Sequence, residues 1–405
     1  MEVESAPAFE RARQAGSAAF GAGWRPSLVA AAPGRLELLG NHVDYNGGPV
    51  LGAAINRYVI VLAEEGTSPL GRIEAVMADA DGQPRLALRP DDLEDWRNDE
   101  PPPEPLDYVR GAIAASRARS EEIRAPLRVA VAGDVPIGFG LSSSAALCVA
   151  LCQALNDPLP PARDLVLLAQ EAEHRAGTPC GTLDQSVSIA GGVVRYDGTT
   201  LATERIDPDL GEYAFAVADS GVARSLGASS YPVRVAESQR ALEIARRHVD
   251  SALPNLAALG RDGYERLAAL GPEDMPETLL RRVRHIVSEV ERVEAGMAAM
   301  QAGDWVTFGS LMTASGRSSA KDYEISHPRV EDLVREALEV EGVLGARMMG
   351  GGEGGSALIL LPRSRVDALI GRLYDGYYAR HGMADREDLV HIFSFADGAT
   401  VRRLT

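Results

Sequence analysis

The sequence predicts an α+β protein with two domains, and three features support this architecture. Its 405 residues are about twice the length of an average domain. The first half alternates strand-like and helix-like segments, whereas the second half has long segments with the apolar periodicity of amphipathic helices. Such helices bury their apolar stripes by packing on an antiparallel sheet. We therefore expect one domain at residues 1–205 and another at residues 206–405.

Hydrophobic periodicity and the positions of Gly and Pro predict the individual elements. Strands are predicted at residues 127–132, 213–219, 356–361 and 389–395. Helices are predicted at residues 142–156, 162–176, 231–249, 277–302, 329–341 and 365–378. The helix at 142–156 directly follows a strand and a glycine-rich turn.

The overall charge and hydropathy exclude some classes of partner. The formal net charge of −17 would repel a phosphate backbone, so we expect no nucleic-acid partner. No apolar run approaches the ~18 residues of a membrane helix. Residues 1–13 lack the basic and apolar regions of a signal peptide. We therefore expect a cytoplasmic protein with no membrane partner, either a monomer or a weak homodimer.

The basic and sulfur-containing residues narrow the chemistry further. Lys321 is the only lysine, and its position does not suit a Walker A loop or a Schiff-base site. Phosphate chemistry would therefore depend on backbone amides, hydroxyls, a metal ion and arginine. Cys148, Cys152 and Cys180 do not indicate a disulfide framework. The first two are four residues apart in an apolar helix, which indicates core packing.

Residues 136–146, with the sequence PIGFGLSSSAA, form a candidate phosphate-binding loop. Gly138 and Gly140 allow backbone conformations that other residues avoid, so the backbone can approach a ligand closely. Ser142, Ser143 and Ser144 fall at the start of a helix, whose free N–H groups and positive dipole end suit a polyphosphate. One hydroxyl could ligate Mg²⁺. The alternative is a glycine turn with a serine N-cap.

Residues 32–48, with the sequence APGRLELLGNHVDYNGG, form a candidate polyol-binding segment. Arg35, Asn41, His42 and Asp44 supply many hydrogen-bonding groups among turn-forming glycines. The alternative is an Asx-type turn before a hairpin, because Asn-Gly-Gly is a strong turn signal. A zinc site is disfavoured, because His42 and Asp44 have no third ligand at a useful spacing.

Two later segments contain further candidate residues. In residues 171–185, Glu173 lies near the end of a predicted helix and Asp184 follows a Pro-Cys-Gly turn. A single carboxylate in an exposed turn of a helix is common and does not indicate a functional site. Glu173 and Asp184 are candidate site residues because both lie near a glycine-rich turn. Residues 347–356 contain a G-x-G-x-x-G pattern, but a strand follows it rather than a helix. This order disfavours a dinucleotide site.

Together these segments resemble galactokinases of the GHMP kinase superfamily. Four blocks occur in the family's order, at residues 34–48, 136–146, 172–185 and 345–361. The resemblance implies a two-domain GHMP kinase fold, with a ribosomal-protein-S5-like N-terminal domain and a ferredoxin-like C-terminal domain. It also implies an ATP-dependent kinase for the anomeric hydroxyl of a free sugar, with galactose as the first candidate.

By position in these motifs, the resemblance implies a role for each candidate residue. Arg35 and Asp184 resemble the catalytic pair, with Asp184 facing the acceptor hydroxyl. Ser144 and Glu173 resemble the Mg²⁺ ligands. The ATP phosphates would lie on Gly138, Gly140, Leu141, Ser142, Ser143 and Ser144. The sugar would be bound by Asn41, His42, Asp44, Gly181, Asp184 and Tyr231. Trp96 and Tyr108 resemble adenine-pocket residues.

The chain departs from the family pattern G-R-x-N-x-x-G-E-H-x-D-Y at two positions. Glu37 stands where Asn is usual, and Asn41 stands where Glu is usual. Because that Glu contacts the C6 end of the sugar in the family, the substrate could instead be galacturonate or glucuronate. A catalytically silent sugar and ATP sensor is another alternative, disfavoured because the implied catalytic and metal-binding residues are all present. Gly316 and Glu353 also depart from the family pattern.

Overall fold

The structure is a computed structural model that describes residues 3–66, 71–93, 95–100, 102–119, 123–124, 127–223 and 230–404. It has the predicted α+β architecture, with helices packed on two sheets. The strands are β1 (Leu28–Leu39), β2 (Pro49–Glu65), β3 (Ile73–Met77), β4 (Arg85–Leu88), β5 (Leu127–Gly133), β6 (Val193–Asp197), β7 (Thr203–Ile206), β8 (Tyr213–Asp219), β9 (Gly345–Met348), β10 (Ser356–Pro362), β11 (Val390–Phe393) and β12 (Thr400–Arg403). The α-helices are α1 (Pro7–Phe20), α2 (Pro105–Arg119), α3 (Ser143–Leu155), α4 (Ala162–Arg175), α5 (Leu183–Ala190), α6 (Tyr231–His248), α7 (Gly260–Ala268), α8 (Glu277–Gln301), α9 (Trp305–Ser318), α10 (Pro328–Leu338) and α11 (Val366–Arg372).

The larger sheet contains eight strands of the described chain, with six in the order β12-β1-β2-β5-β3-β4. β6 pairs with the first part of β2, and β7 pairs with β6. The strand pairs are antiparallel except for β3 with β5, which is parallel. Because β12 pairs with β1, the end of the chain returns to this first sheet.

The smaller sheet has four antiparallel strands in the order β11-β8-β10-β9. The chain leaves the larger sheet at the end of β7, at Ile206, and enters the smaller one at the start of β8, at Tyr213. We therefore retain the division near residue 205 as a proposal, with β12 added to the first sheet.

Strand β1 positions two polar side chains inside the protein. Its pairing with β2 is irregular between Pro33 and Arg35 and again between Glu37 and Leu39. Such bulges bend a strand and redirect its side chains. All residues of β1 are buried, so Arg35 and Glu37 must find polar partners within the protein.

Helix α3 packs against the larger sheet, and several of its buried residues are small. Ala145, Ala146 and Ala150 are at most 1% exposed, as are Cys148 and Cys152. Both cysteines are free thiols in the core, as the sequence predicts. This close packing holds the N-terminus of α3 beside β1, and the phosphate loop precedes that terminus.

The predicted strands and helices are confirmed to within about three residues at each end. One predicted helix, 365–378, is α11 followed by a π-helical turn at Leu373–Tyr378. A second π-helical turn, Ser319–Tyr323, continues from α9. Among the described helices, none has the length and apolar character needed to cross a bilayer.

Candidate active site

The predicted phosphate loop connects β5 to α3. Gly138 (φ 88°), Gly140 (φ 73°) and Ser142 (φ 57°) all have left-handed backbone conformations, which are unstrained for glycine and costly for serine. Ser142 immediately precedes α3, and its side chain does not cap the helix. The Ser142 side chain therefore does not compete with a ligand for the N–H groups in the first turn of α3. These N–H groups can bind an anion.

The Ser142 hydroxyl instead bonds to Asp184, in the first turn of α5. Its Oγ donates to Asp184 Oδ2 at 2.5 Å. Arg35 Nε and Nη2 each lie 2.8 Å from Asp184 Oδ1. Arg35 Nη1 also donates to the carbonyl of Gly140 at 2.6 Å. The guanidinium therefore joins the carboxylate to the phosphate loop, although the three segments are far apart in sequence.

Glu173 lies on α4 beside the same loop and is only 2% exposed. Burial raises the pKa of Glu173 to about 7, opposed by hydrogen bonds from Ser144, Gln185 and Cys180. Gln185 Nε2 donates to Glu173 Oε2, and Cys180 Sγ lies 3.6 Å from the same oxygen. Ser144 and Glu173, the two predicted metal ligands, are therefore in contact. Sequence reasoning missed Gln185, although this residue directly follows Asp184.

Asp44 lies next to Gly181 and close enough to Asp184 to be affected by its charge. A Cβ atom added to Gly181 would lie 3.9 Å from Asp44 Oδ2. Burial raises the pKa of Asp44 to about 6, and the nearby charges of Glu37 and Asp184 contribute to the increase. Asp44, Gly181 and Asp184 are therefore neighbours, and the glycine leaves the Asp44 carboxylate without a side chain at that position.

His42 and Tyr231 adjoin Asp44. His42 has a left-handed backbone (φ 61°), and its Nε2 lies 3.1 Å from the carbonyl oxygen of Gly351. The ring centroids of His42 and Tyr231 are 5.5 Å apart. Tyr231, the first residue of α6, is 42% exposed and so presents part of its ring to solvent. These two predicted sugar-binding residues are brought together with Asp44.

Asn41, in contrast, has its side chain surrounded by protein and is 1% exposed. Its Nδ2 donates to Glu37 Oε1 at 2.7 Å and to the carbonyl of Gly350 at 2.8 Å. Its Oδ1 accepts from Ser319 Oγ at 3.2 Å. Glu37 lies 3.7 Å from Arg347 Nη2. The two departures from the family pattern at positions 37 and 41 are therefore one hydrogen-bonded pair.

The structure gives the other two departures from the family pattern a local role. Both carboxylate oxygens of Glu353 accept from the backbone N–H of Ser230 at 3.0 Å, immediately before α6 and Tyr231. A Cβ at Gly316 would lie 2.9 Å from the Cβ of Arg347 on β9. A larger residue at position 316 would therefore require β9 to move. Glu353 thus orients a helix that carries a predicted sugar-binding residue.

An apolar pocket of about 340 Å³ opens beside the phosphate loop. Ser143, Ser144, Ile137 and Tyr108 are among its lining residues. Tyr108 also bonds through its hydroxyl to Thr178 Oγ1 at 2.9 Å. Trp96, the other predicted adenine-pocket residue, packs against the main core and is not part of this pocket lining.

Comparison with known proteins gives consistent likenesses along the chain. A galactokinase galactose-binding signature matches residues 17–65, the GHMP kinases N-terminal domain matches 107–192, and the GHMP kinases C-terminal domain matches 297–379. The galactokinase of Roseiflexus sp. (strain RS-1) is 36% identical over 389 residues, covering 93% of both chains. The galactokinase of Homo sapiens is 34% identical over 391 residues, covering 93% of this chain and 94% of that protein.

Solved structures agree with these sequence likenesses. The crystal structure of Lactococcus lactis galactokinase complexed with galactose matches with a TM-score of 0.81 and 28% identity, covering 95% of this chain and 97% of that chain. Methanococcus jannaschii mevalonate kinase matches with a TM-score of 0.62 and 16% identity, covering 92% and 99%, and shares the fold. The likenesses therefore extend over the residues of both sheets.

Proposed function

We propose that this chain, which belongs to the galactokinase family of the GHMP kinases, transfers the γ-phosphoryl group of ATP to the anomeric hydroxyl of galactose. The family and the two-domain GHMP kinase fold that the sequence implied are both confirmed. The observation that carries the proposal is the contact of Asp184 with both Arg35 and Ser142. These contacts place Asp184, the carboxylate proposed to face the acceptor hydroxyl, beside the loop proposed to bind the ATP phosphates.

Asp184 and Arg35 form the proposed catalytic pair. Phosphoryl transfer depends mainly on positioning and on neutralising charge. Asp184 would accept or orient the proton of the anomeric hydroxyl. Arg35 already spans Asp184 and the Gly140 carbonyl, so its guanidinium lies where it can stabilise charge on the transferring phosphoryl group.

We propose Mg²⁺ as the metal ion, with ATP as co-substrate, and Ser144 and Glu173 as its protein ligands. The hydrogen-bond partners of Glu173 are uncharged, and burial together with the negative charge of Asp184 raises its pKa, so a bound cation would stabilise the ionised carboxylate. Mg²⁺ typically takes one or two protein oxygens and completes its shell with phosphates and water. In the part of the chain that the structure describes, no three His, Cys, Asp or Glu side chains cluster as an all-protein metal site. Bound Mg²⁺ neutralises phosphate charge.

The ATP phosphates would lie on the predicted loop, and the apolar pocket beside it suits the adenine. Its walls include Tyr108 and the start of α3, so base and phosphates would bind at adjoining surfaces.

Galactose is the proposed sugar. The galactose-binding signature at 17–65 and the galactose complex of the L. lactis enzyme both support it. The proposed contacts are His42, Asp44, Gly181, Asp184 and Tyr231, whereas the side chain of Asn41, the other predicted contact, is enclosed by protein. Since the Asn41 amide is bonded to Glu37, Ser319 and the Gly350 carbonyl, it has no free donor for the carboxylate of a uronic acid. The contact between Arg35 and Asp184, and that between Ser144 and Glu173, favour turnover over sensing.

The test is ADP release from ATP and Mg²⁺ with galactose, galactosamine, galacturonate, glucuronate, arabinose, glucose and mannose. We expect the highest kcat/KM for galactose, with galactose 1-phosphate as the product identified by NMR. A higher kcat/KM for a uronic acid would refute the proposed substrate and retain the chemistry. Binding of ATP and sugar without turnover would instead support the sensor.

A further inference from the structure

We infer that Tyr323 is a positioning residue for the sugar-binding turn, which we define as residues 41–46. It acts through a chain of hydroxyl groups that connects it to Tyr45 and His42. Tyr323 ends the π-helical turn that follows α9, more than 270 residues after this turn. The inference rests on the proposed function, because it concerns how that site holds its sugar.

The chain runs from α6 to the sugar-binding turn through four side chains. Ser238 Oγ lies 2.8 Å from Tyr323 Oη. Tyr323 Oη lies 2.9 Å from Tyr45 Oη, and Tyr45 Oη lies 3.0 Å from His42 Nδ1. Asn46 Nδ2 also reaches Tyr323 Oη, at 3.4 Å. One buried hydroxyl therefore has partners both on α6 and in the sugar-binding turn.

The donors in this chain follow from its two ends when His42 is neutral. A carbonyl oxygen only accepts, so His42 Nε2 must donate to Gly351, and His42 Nδ1 is then an acceptor. Tyr45 must donate its only hydroxyl proton to His42, so it accepts from Tyr323. Tyr323 in turn accepts from Ser238. The chain thus selects one tautomer and one orientation of the imidazole.

The position of Tyr323 is itself well determined. Its side chain is fully buried, and its ring centroid lies 4.5 Å from that of His285. The buried guanidinium of Arg282 donates to the carbonyl of Asp322 at 2.5 Å and to Glu324 Oε2 at 2.6 Å. These bonds hold the residues immediately before and after Tyr323. Packing and these hydrogen bonds hold the Tyr323 side chain in one position, so that its hydroxyl can orient its partners.

The turn that Tyr323 holds contains Asp44. Asp44, Tyr45 and Asn46 form a single 3₁₀ turn, so anchoring the last two fixes the first. Asn46 Nδ2 also donates to the His42 carbonyl at 2.9 Å, which closes the turn on itself. The carboxylate of Asp44 lies beside Gly181, another proposed sugar contact. Loss of the Tyr323 hydroxyl would therefore loosen the sugar side of the site and leave the phosphate loop intact.

The test compares Tyr323→Phe with the wild type, using Tyr378→Phe as a matched control. Tyr378 is also fully buried, and its hydroxyl donates to the carbonyl of Leu389 at 3.1 Å, just before β11. We expect Tyr323→Phe to raise the KM for galactose about tenfold, because Ser238, Tyr45 and Asn46 would lose their shared buried partner. The KM for ATP should stay within about twofold. Tyr378→Phe should lower Tm and leave both KM values unchanged.

A double variant distinguishes positioning from general stability. Since Tyr45 and Tyr323 act through one chain, Tyr45→Phe combined with Tyr323→Phe should raise the KM for galactose little more than the larger single effect. The inference would be overturned if the two single increases in the KM for galactose multiplied in the double variant. An equal rise in the KM for ATP, or an unchanged KM for galactose in Tyr323→Phe, would also overturn it. A wild-type chain with no turnover of any sugar would refute the proposed function first, and this inference with it.

Discussion

Replacing Asp184 with Asn tests the chemistry of the site with the smallest change of shape. Asn Oδ1 can keep both contacts with Arg35, and Asn Nδ2 can donate to Ser142 Oγ, because a hydroxyl can also accept. Binding of ATP and galactose should therefore persist. The lost negative charge leaves Arg35, which is 7% exposed, without its ionic partner. We expect unfolding to require about 1.5–3 kcal/mol less.

Turnover should fall far more than stability. A positioned general base contributes about 10²–10⁴-fold, or roughly 3–5 kcal/mol of the barrier. The assay is kcat from coupled ADP release, with ligand binding measured by calorimetry and stability by urea denaturation. A variant with kcat within about tenfold of wild type would refute the assignment of Asp184 as the acceptor carboxylate.

Glu336→Gln is the matched control for this experiment. The Glu336 side chain is 8% exposed and bonds to Arg372 Nε at 2.8 Å and to Arg380 Nη2 at 2.7 Å. Like Asp184→Asn, the Glu336→Gln variant removes a carboxylate that is paired with arginine. Glu336 lies on α10, away from the phosphate loop. We expect a similar loss of stability with unchanged kcat.

Four further changes test the remaining parts of the site. Because burial raises the pKa of Asp44 to about 6, and sugar hydroxyls donate to the ionised form, the KM for galactose should rise as pH falls through about 6; Asp44→Asn should abolish this dependence. The stability that this raised pKa contributes is complete below the ordinary value of 3.8 and lost as pH rises through about 6, so the Tm difference between wild type and Asp44→Asn should change over that interval. Gly181→Ala should raise the KM for galactose and not for ATP, because its Cβ would lie 3.9 Å from Asp44 Oδ2; equal effects on both would contradict the geometry. Asn41→Glu would set a second carboxylate against Glu37 in a buried pair and lower the free energy of unfolding in urea by about 2–5 kcal/mol, whereas adding Glu37→Asn should restore most of the loss. Glu173→Gln should raise the Mg²⁺ concentration for half-maximal rate and leave the KM for galactose unchanged; an unaltered Mg²⁺ requirement would exclude Glu173 as a ligand.

Most elements of secondary structure could be predicted because their signals are local. The continuous apolar run of β8 indicates a strand buried on both faces, and the apolar residues of α3 indicate a buried helix. The π-helical turn before Glu324 could not be predicted in this way, since its sequence does not differ visibly from a continuing helix. Its geometry depends instead on buried partners such as Arg282.

Motif residues could likewise be assigned to a family, but their contacts could not. Ser142 was predicted as a phosphate residue, and the structure shows that its hydroxyl also bonds to Asp184. Gln185 beside Glu173 and Glu353 at the start of α6 were not assigned a role, because neither residue type is distinctive alone.

The sequence by itself determines the family, the α+β class and the functional groups available. These groups are the glycine- and serine-rich loop before α3, Arg35, and the carboxylates of Glu173 and Asp184 near a turn. These features depend on residue type and short spacing, which any sequence displays directly. The tertiary structure alone decides which of these groups meet. Arg35 of β1 contacts Asp184 of α5, and Tyr45 contacts Tyr323 at the end of a π-helical turn. Contacts across hundreds of residues arise from packing the two sheets and their helices together, and local sequence carries no record of that distance.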